Sequence, residues 1–145
     1  MIHLITDGNG MPMSACTTPA NGDERQQVLP LLDRIKIRTA PVGRPKKRFK
    51  VIAADKGYDA RWLREKLRKR GIRGQIAKRQ RRGNKPLGRP IQMSVPRFQQ
   101  ERCFAWLQRK YRRLVVRWER LPSCFDAFLH LSIIHIWLNK LILVG

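Results

Sequence analysis

Val51-Ile52-Ala53-Ala54-Asp55-Lys56-Gly57-Tyr58-Asp59 is the stretch on which the reading of the fold turns. Four apolar residues are too few for a helix, and the Asp and Gly that follow bring the run to a turn, so a short buried strand is expected at 51–54. Asp55 then stands at the carboxyl end of a core strand. A helix is expected from about Ala60 to Arg70, closed by Gly71 as its C-cap, with a further short strand at Gly74-Gln75-Ile76-Ala77.

Toward the N-terminus, Ile2 to Thr6 is β-prone, Asp7-Gly8-Asn9-Gly10 is a strong hairpin turn, and Met11 to Thr18 is the returning strand. Val28, Leu31, Leu32 and Ile35 fall at helical spacing behind Asp23, a suitable N-cap. Arg38 to Lys50 and Lys78 to Pro90 mix basic residues with Gly and Pro and read as loops.

From Pro96 the pattern is helical. On a wheel of ~100° per residue, Phe104, Leu107, Tyr111 and Leu114 share a core stripe, Arg97, Glu101, Ala105, Gln108 and Arg112 a neighbouring face, and Arg102, Arg109 and Arg113 a cationic one. Ser123 is placed to cap a final apolar helix running to about Val144.

The 145 residues carry a formal net charge of +22, a self-repulsion best tolerated beside a polyanion, so nucleic acid is the leading partner. Between Lys66 and Gln100 there are twelve Lys and Arg and no Asp or Glu, and the run ends at Glu101. A hydrophobic fraction of 42% with four Trp and five Phe excludes a wholly disordered basic tail. Cys16, Cys103 and Cys124 lack C-x-x-C spacing, which argues against a zinc ribbon or a disulfide framework. No secretory signal opens the chain, and polar residues interrupt Phe125 to Val144 too often for a spanning helix, so a packed core helix, no membrane partner and a cytoplasmic, nucleoid-associated location are expected.

The segments Ile2 to Gly10, Ala54-Asp55-Lys56-Gly57-Tyr58-Asp59 and Glu101 to Leu107, followed by Tyr111-Arg112-Arg113-Leu114 and Arg117-Trp118-Glu119-Arg120, together resemble the DDE transposases of bacterial insertion sequences. The resemblance spans nearly the whole chain, and three ordered motifs make it more specific than any single one. It implies an α/β fold, a ribonuclease H-like mixed sheet flanked by helices, here without its first strand and with a helical C-terminal half. Residues 1–145 would be one partial catalytic domain, with the hairpin, helix, strand and basic loops in 1–95 and the Glu-bearing and C-terminal helices in 96–145.

By the same resemblance Asp55 matches the second catalytic Asp of the family and Glu101 its Glu. Both would be catalytic and metal-binding residues for Mg2+ or Mn2+, in a two-metal site that cuts phosphodiesters and transfers strands; two ions roughly 3.5–4 Å apart would stabilise attacking and leaving oxygens. The family's first Asp lies on a strand before the hairpin, where this chain begins. The 145 residues are therefore expected to bind double-stranded DNA, at transposon ends and target, but to be inactive alone, with an upstream polypeptide as a complementing partner and a homo-oligomer as the working form.

Around the Glu the family signature keeps Arg97 and Glu101, but Ser94 stands where a Tyr is usual and Gln108 where a Lys is usual. Lys56, Arg97, Arg102, Arg109, Arg112 and Arg113 are the candidate DNA contacts.

Other residues have plainer readings. Asp7 suits the turn and Asp59 a cap on the helix that follows it. His3, His130 and His135 are expected to pack or face solvent, and the four Trp to fill core, with Trp106 bordering the cationic face. The alternative function, a non-enzymatic basic nucleic-acid-binding protein, explains the charge but gives no reason for an Asp at a strand end together with an Arg-x3-Glu helix.

Overall fold

Asp7 folds the first two strands onto each other. Its Oδ1 accepts from the backbone N–H groups of Asn9 and Met11 at 2.9 and 2.8 Å, and Gly10 takes a φ of 82°, which a side chain at that position would resist. Strand β1 (Ile2–Thr6) thus pairs antiparallel with β2 (Pro12–Thr17), with Ile2 opposite Thr17 and a register shift between Ile5 and Thr6. The hairpin matches its sequence expectation.

The computed structural model describes residues 1–37, 42–43, 49–78, 98–116 and 118–143. They fall into two compact units. The first comprises Met1–Gly22, Leu29–Ile35 and the chain from Arg97 onward; the second comprises Asp23–Val28 and Lys36–Pro96.

Helices pack against the hairpin in the first unit. Helix α1 (Val28–Arg34) follows a 3₁₀ turn at Glu24–Gln27, and Asp23 does cap that turn, accepting from Arg25 N–H at 3.0 Å. The 3₁₀ start has a cause in the sequence: Pro30 has no N–H with which to close an α-helical bond to Gln26. From α1, Arg34 donates to the carbonyl of Ala15 at 3.2 Å. The core gathers Leu4, Met11 and Ala15 with Cys103, Leu107, Leu114, Phe125, Leu129 and Ile136, and full burial of each large side chain contributes roughly 1.5–3 kcal/mol. Phe104 and Tyr111, expected inside, lie partly buried against it, while Cys103, fully buried, was not singled out from the sequence.

A β-α-β crossover builds the second unit. Strand β3 (Val51–Ala54) lies parallel to β4 (Arg73–Ile76), Val51 beside Arg73 and Ala54 beside Ile76. A parallel pair needs a crossover connection, and α2 (Arg61–Lys69) supplies it. Leu63 and Leu67, one turn apart, face inward, with Leu67 over Gly74 of β4. Gly71 ends the helix as expected: at φ 70° it donates to Arg68 O while Ile72 donates to Leu67 O, both at 2.9 Å, the two bonds of a Schellman cap.

Three local expectations need correction. Asp59 does not cap α2; Ala60 holds that position without a side-chain bond, and Asp59 instead pairs with Arg64, Nε to Oδ1 at 2.8 Å. Arg64 also reaches the Ile76 carbonyl at 2.8 Å, so the ion pair ties the start of α2 to the end of β4. Ser123 does not cap the last helix, because α5 (Pro122–Leu143) begins one residue earlier, with Pro at the first helical position, where a missing N–H costs nothing.

The long helical pattern from Pro96 is also interrupted. Helix α3 (Phe98–Lys110) is separated from the short α4 (Arg112–Val115) by Tyr111 at φ −122°, ψ 85°. The Tyr111 hydroxyl is bonded to His135 Nδ1 at 2.7 Å, with the two rings edge to face, so an aromatic anchored to α5 takes precedence over helical continuity.

Among the described residues the strands form an antiparallel pair and a parallel pair, which with the helices make an α/β architecture. Helix α5 packs Phe125, Leu129, Ser132 and Ile136 inward. Contrary to the sequence expectation, its polar residues are not too frequent for a span, since it is long and apolar enough to cross a membrane by length and composition. Nor is it a fully packed core helix, because only 17% of its apolar window is buried.

Candidate metal and nucleic-acid site

Asp55 leaves β3 at its carboxyl end and is exposed. Its extended backbone, φ −67° and ψ 163°, makes it the N-cap of the 3₁₀ turn Lys56–Tyr58, and its Oδ1 accepts from Lys56 N–H at 2.6 Å. A short apolar strand followed by Asp and a turn former therefore puts a carboxylate in solvent at a fixed strand end. Its Oδ1 oxygen is engaged with the backbone.

The same turn aims Tyr58 at Glu24, hydroxyl to Oε2 at 3.3 Å. Burial, helped by the neighbouring Glu24 carboxylate and by Asp55, pushes the Tyr58 hydroxyl up to about 12. Lys56 is exposed beside Asp55.

Glu101 lies in the first turn of α3 and is exposed. A carboxylate is electrostatically favoured at that end of a helix, by about 0.3–1 kcal/mol at exposed sites. The hairpin turn holds this first turn closely: Arg102 Nη2 donates to Asn9 O at 2.8 Å, and a Cβ on Gly10 would stand 2.8 Å from the Gln99 carbonyl oxygen. The Asp7 carboxylate stays in the turn, and it adds to the effect of burial in pushing the Cys103 thiol up to about 11.

Asp55 belongs to the second unit and Glu101 to the first. Each offers hard oxygen ligands of the kind Mg2+ and Mn2+ take. Among the described residues no three His, Cys, Asp or Glu converge into a metal-binding cluster, so the donor chemistry fits a divalent cation while a complete ligand set is not present there.

The cationic candidates are distributed less simply than the wheel implied. Arg97 lies outside the described residues. Arg102 is committed to Asn9, and its guanidinium lies over the Trp106 ring, 5.0 Å from the centroid. Arg113 is held between Glu119, at 3.3 Å, and the Phe128 ring, at 4.7 Å. Because the helix breaks at Tyr111, Arg102, Arg109 and Arg113 do not form one continuous helical face; Arg109 and Arg112 are exposed on separate helices.

A groove of about 330 Å3 lined by Arg112, Arg113, Val116 and Trp118 was not foreseen. Trp118 was expected to fill core and is instead 77% exposed. The signal lay in its surroundings, since Arg117-Trp118-Glu119-Arg120 has no apolar periodicity to bury an indole. Trp106 and Trp137 do pack against the core, the latter also donating its indole N–H to Pro12 O at 2.7 Å.

The described residues thus present a strand-end Asp in one unit, a helical Glu in the other, and exposed basic side chains near each. The family model for the transposase DDE domain matches residues 1–137, and the chain belongs to that family, the DDE transposases of insertion sequences. Over 96% of its length it is 40% identical to a Burkholderia cepacia protein whose name assigns it as a transposase for insertion sequence element IS402, and it covers 63% of that protein. It is 29% identical, over 95% of its length and 97% of the relative's, to a Brucella ovis protein named for element IS6501 in the same way. No solved structure matches.

Proposed function

We propose that this chain works in DNA transposition, as part of an enzyme that cuts and rejoins insertion-sequence ends by phosphodiester hydrolysis and strand transfer. The observation that carries the reading is the placement of the two family carboxylates, Asp55 at the open end of a parallel strand and Glu101 in the exposed first turn of a helix, in a chain matched by the family model. In this reading the fold is ribonuclease H-like, a mixed sheet flanked by helices, and Asp55 and Glu101 are two of its metal-binding carboxylates. They would hold the Mg2+ or Mn2+ that, when bound, stabilises charge on the reacting oxygens.

The chain's own contribution to DNA is electrostatic. Lys56, Arg109 and Arg112, all exposed, meet phosphate, and Arg97 joins them by the family signature alone; Arg102 and Arg113, already engaged with Asn9 and Glu119, contribute less. Double-stranded DNA is the partner, bound with weak sequence preference and a steep inverse dependence on salt as counterions are released, in the cytoplasm at the nucleoid. A slope of log affinity against log salt near zero would remove this reading.

The family site holds its metal pair with more carboxylates than these two, and whether the 145 residues cut end DNA without a further polypeptide is what the cleavage experiment reads. The test is strand cleavage of labelled insertion-sequence ends with Mg2+ or Mn2+, by the 145 residues and by a version extended at the N-terminus. Cleavage by the extended form that disappears in Asp55→Ala and in Glu101→Ala supports the assignment. Cleavage unaffected by either substitution overturns it.

A further inference from the structure

Helix α5 is apolar on two opposite faces. Phe125, Leu129, Ser132 and Ile136 are buried in the first unit. On the other side Cys124, Ala127, Leu131, Ile134, Leu138 and Leu141 are all exposed, spaced 3-4-3-4-3 along the chain. That is the a/d spacing of a seam which stays in register with a second helix. It runs for 18 residues, roughly 27 Å at the α-helical rise. From Leu131 on, Leu131, Ile134, Leu138, Leu141, Ile142 and Leu143 are between 48 and 77% exposed.

Charge narrows the occupant. In a chain of net charge +22, α5 contains one Lys and one Asp, and that Asp126 accepts from Thr17 N–H at 3.2 Å on the packed side. The residues flanking the seam on α5, Ser123, His130 and Trp137 on one edge and Phe128, His135 and Ile142 on the other, include no Lys, Arg, Asp or Glu, and Arg113, which lies over the Phe128 ring, is paired with Glu119. DNA, an acidic protein or an anionic bilayer would each be met by cations, and a spanning helix would not have a face committed to a hairpin. A copy of the same chain, otherwise repelled by its charge, can approach most closely along this neutral strip.

The area is sufficient. The four large aliphatic side chains of the seam, Leu131, Ile134, Leu138 and Leu141, present on the order of 400 Å2 of apolar surface per copy. At the apolar share usual for protein interfaces, two copies would bury roughly 1,300 Å2 in all, within the range of stable complexes.

We propose that this face of α5 pairs with the same face of a second copy, forming a helix-to-helix homodimer. It requires no DNA, so it stands or falls apart from the transposase reading.

Sedimentation velocity at about 0.5 M salt, where repulsion is screened to within roughly 4 Å, should give twice the mass of one chain. Leu131→Gln with Leu138→Gln should raise the dissociation constant at least tenfold with helix content by circular dichroism unchanged. Cys124, exposed on the seam, reports orientation: mild oxidation should link two wild-type copies in a parallel pair, and Leu141→Cys should link to Cys124 of the other copy in an antiparallel one. A monomeric wild-type chain, or a dimer indifferent to the double substitution, overturns the proposal. So does a monomer that sediments with neutral phosphatidylcholine vesicles, which would assign the face to lipid.

Discussion

Helices α2 and α5 solve the same problem, covering a small sheet, with opposite surfaces. Helix α2 is nine residues long; it buries Leu63 and Leu67 and turns Arg61, Glu65, Lys66, Arg68 and Lys69 to water. Its outer face is finished. Helix α5, 22 residues long, buries one stripe equally well and leaves a second apolar stripe outside. The inward faces follow from folding alone, whereas an outward apolar stripe adds nothing to folding of the single chain, so α5 carries a requirement α2 does not. In a single sequence, the outward face is where association is recorded.

The largest effect should separate the inward faces from the outward one. Leu67→Ala in α2 and Leu129→Ala in α5, at residues 1% and 0% exposed, should each destabilise by about 2–5 kcal/mol in chemical denaturation. Leu138→Ala, on the outer stripe, should change the stability of dilute chain by under about 0.5 kcal/mol. A core-sized loss at Leu138 in dilute solution would mean that the outer stripe already packs within one chain, and the contrast between the helices would fail.

A smaller effect tests how the Asp55 turn is anchored. The Tyr58 hydroxyl, raised from 10 to about 12 by burial and by Glu24, is an acid that the folded state keeps protonated. Its contribution is fully present below pH 10 and is lost as pH rises through 12, reduced by the solvent that still reaches the ring. Denaturation midpoints of wild type and Tyr58→Phe should therefore run in parallel up to pH 10. Between pH 10 and 12 the wild type should fall more steeply than the variant, in which Cys103 and Tyr111 still titrate. Parallel curves throughout would show Tyr58 to be solvated, and the turn held by Asp55 alone.

The parts of the fold legible in the sequence are those written locally. The Asp7–Gly10 turn, the 51–54 strand and the Gly71 cap each rest on residues that fix their own backbone, so spacing and residue type suffice. Asp55 and Glu101 were likewise legible as positions, one at a strand end and one on a helix. What stayed hidden depends on which of several side-chain partners wins, near or far along the chain. Tyr111 breaks the helix because His135, 24 residues on, binds its hydroxyl. Asp59 abandons capping because Arg64 can reach both it and the Ile76 carbonyl. A wheel drawn through Tyr111 consequently placed Arg102 and Arg113 on one face, while in the structure Asn9 takes one and Glu119 the other.

The smallest expected effect concerns the outer surface of α2, where two ion pairs differ only in shelter. Arg61 and Glu65 meet at 2.9 Å with side chains 93% and 48% exposed; Arg64 and Asp59 meet at 2.7 Å at 28% and 19%. Exposed i,i+4 pairs are worth about 0.3–0.5 kcal/mol and are screened by salt, so Glu65→Gln should cost no more than that and nothing measurable at about 1 M salt. Asp59→Asn keeps a hydrogen-bond acceptor but leaves the Arg64 charge less well compensated in a drier site. Its cost should be nearer 1 kcal/mol and should persist at high salt, because water screens the pair less. Urea denaturation of both variants at low and high salt decides the point: equal, salt-sensitive losses would show that α2 presents one uniformly solvated surface, and that Asp59 does not fasten the start of this helix to the end of β4.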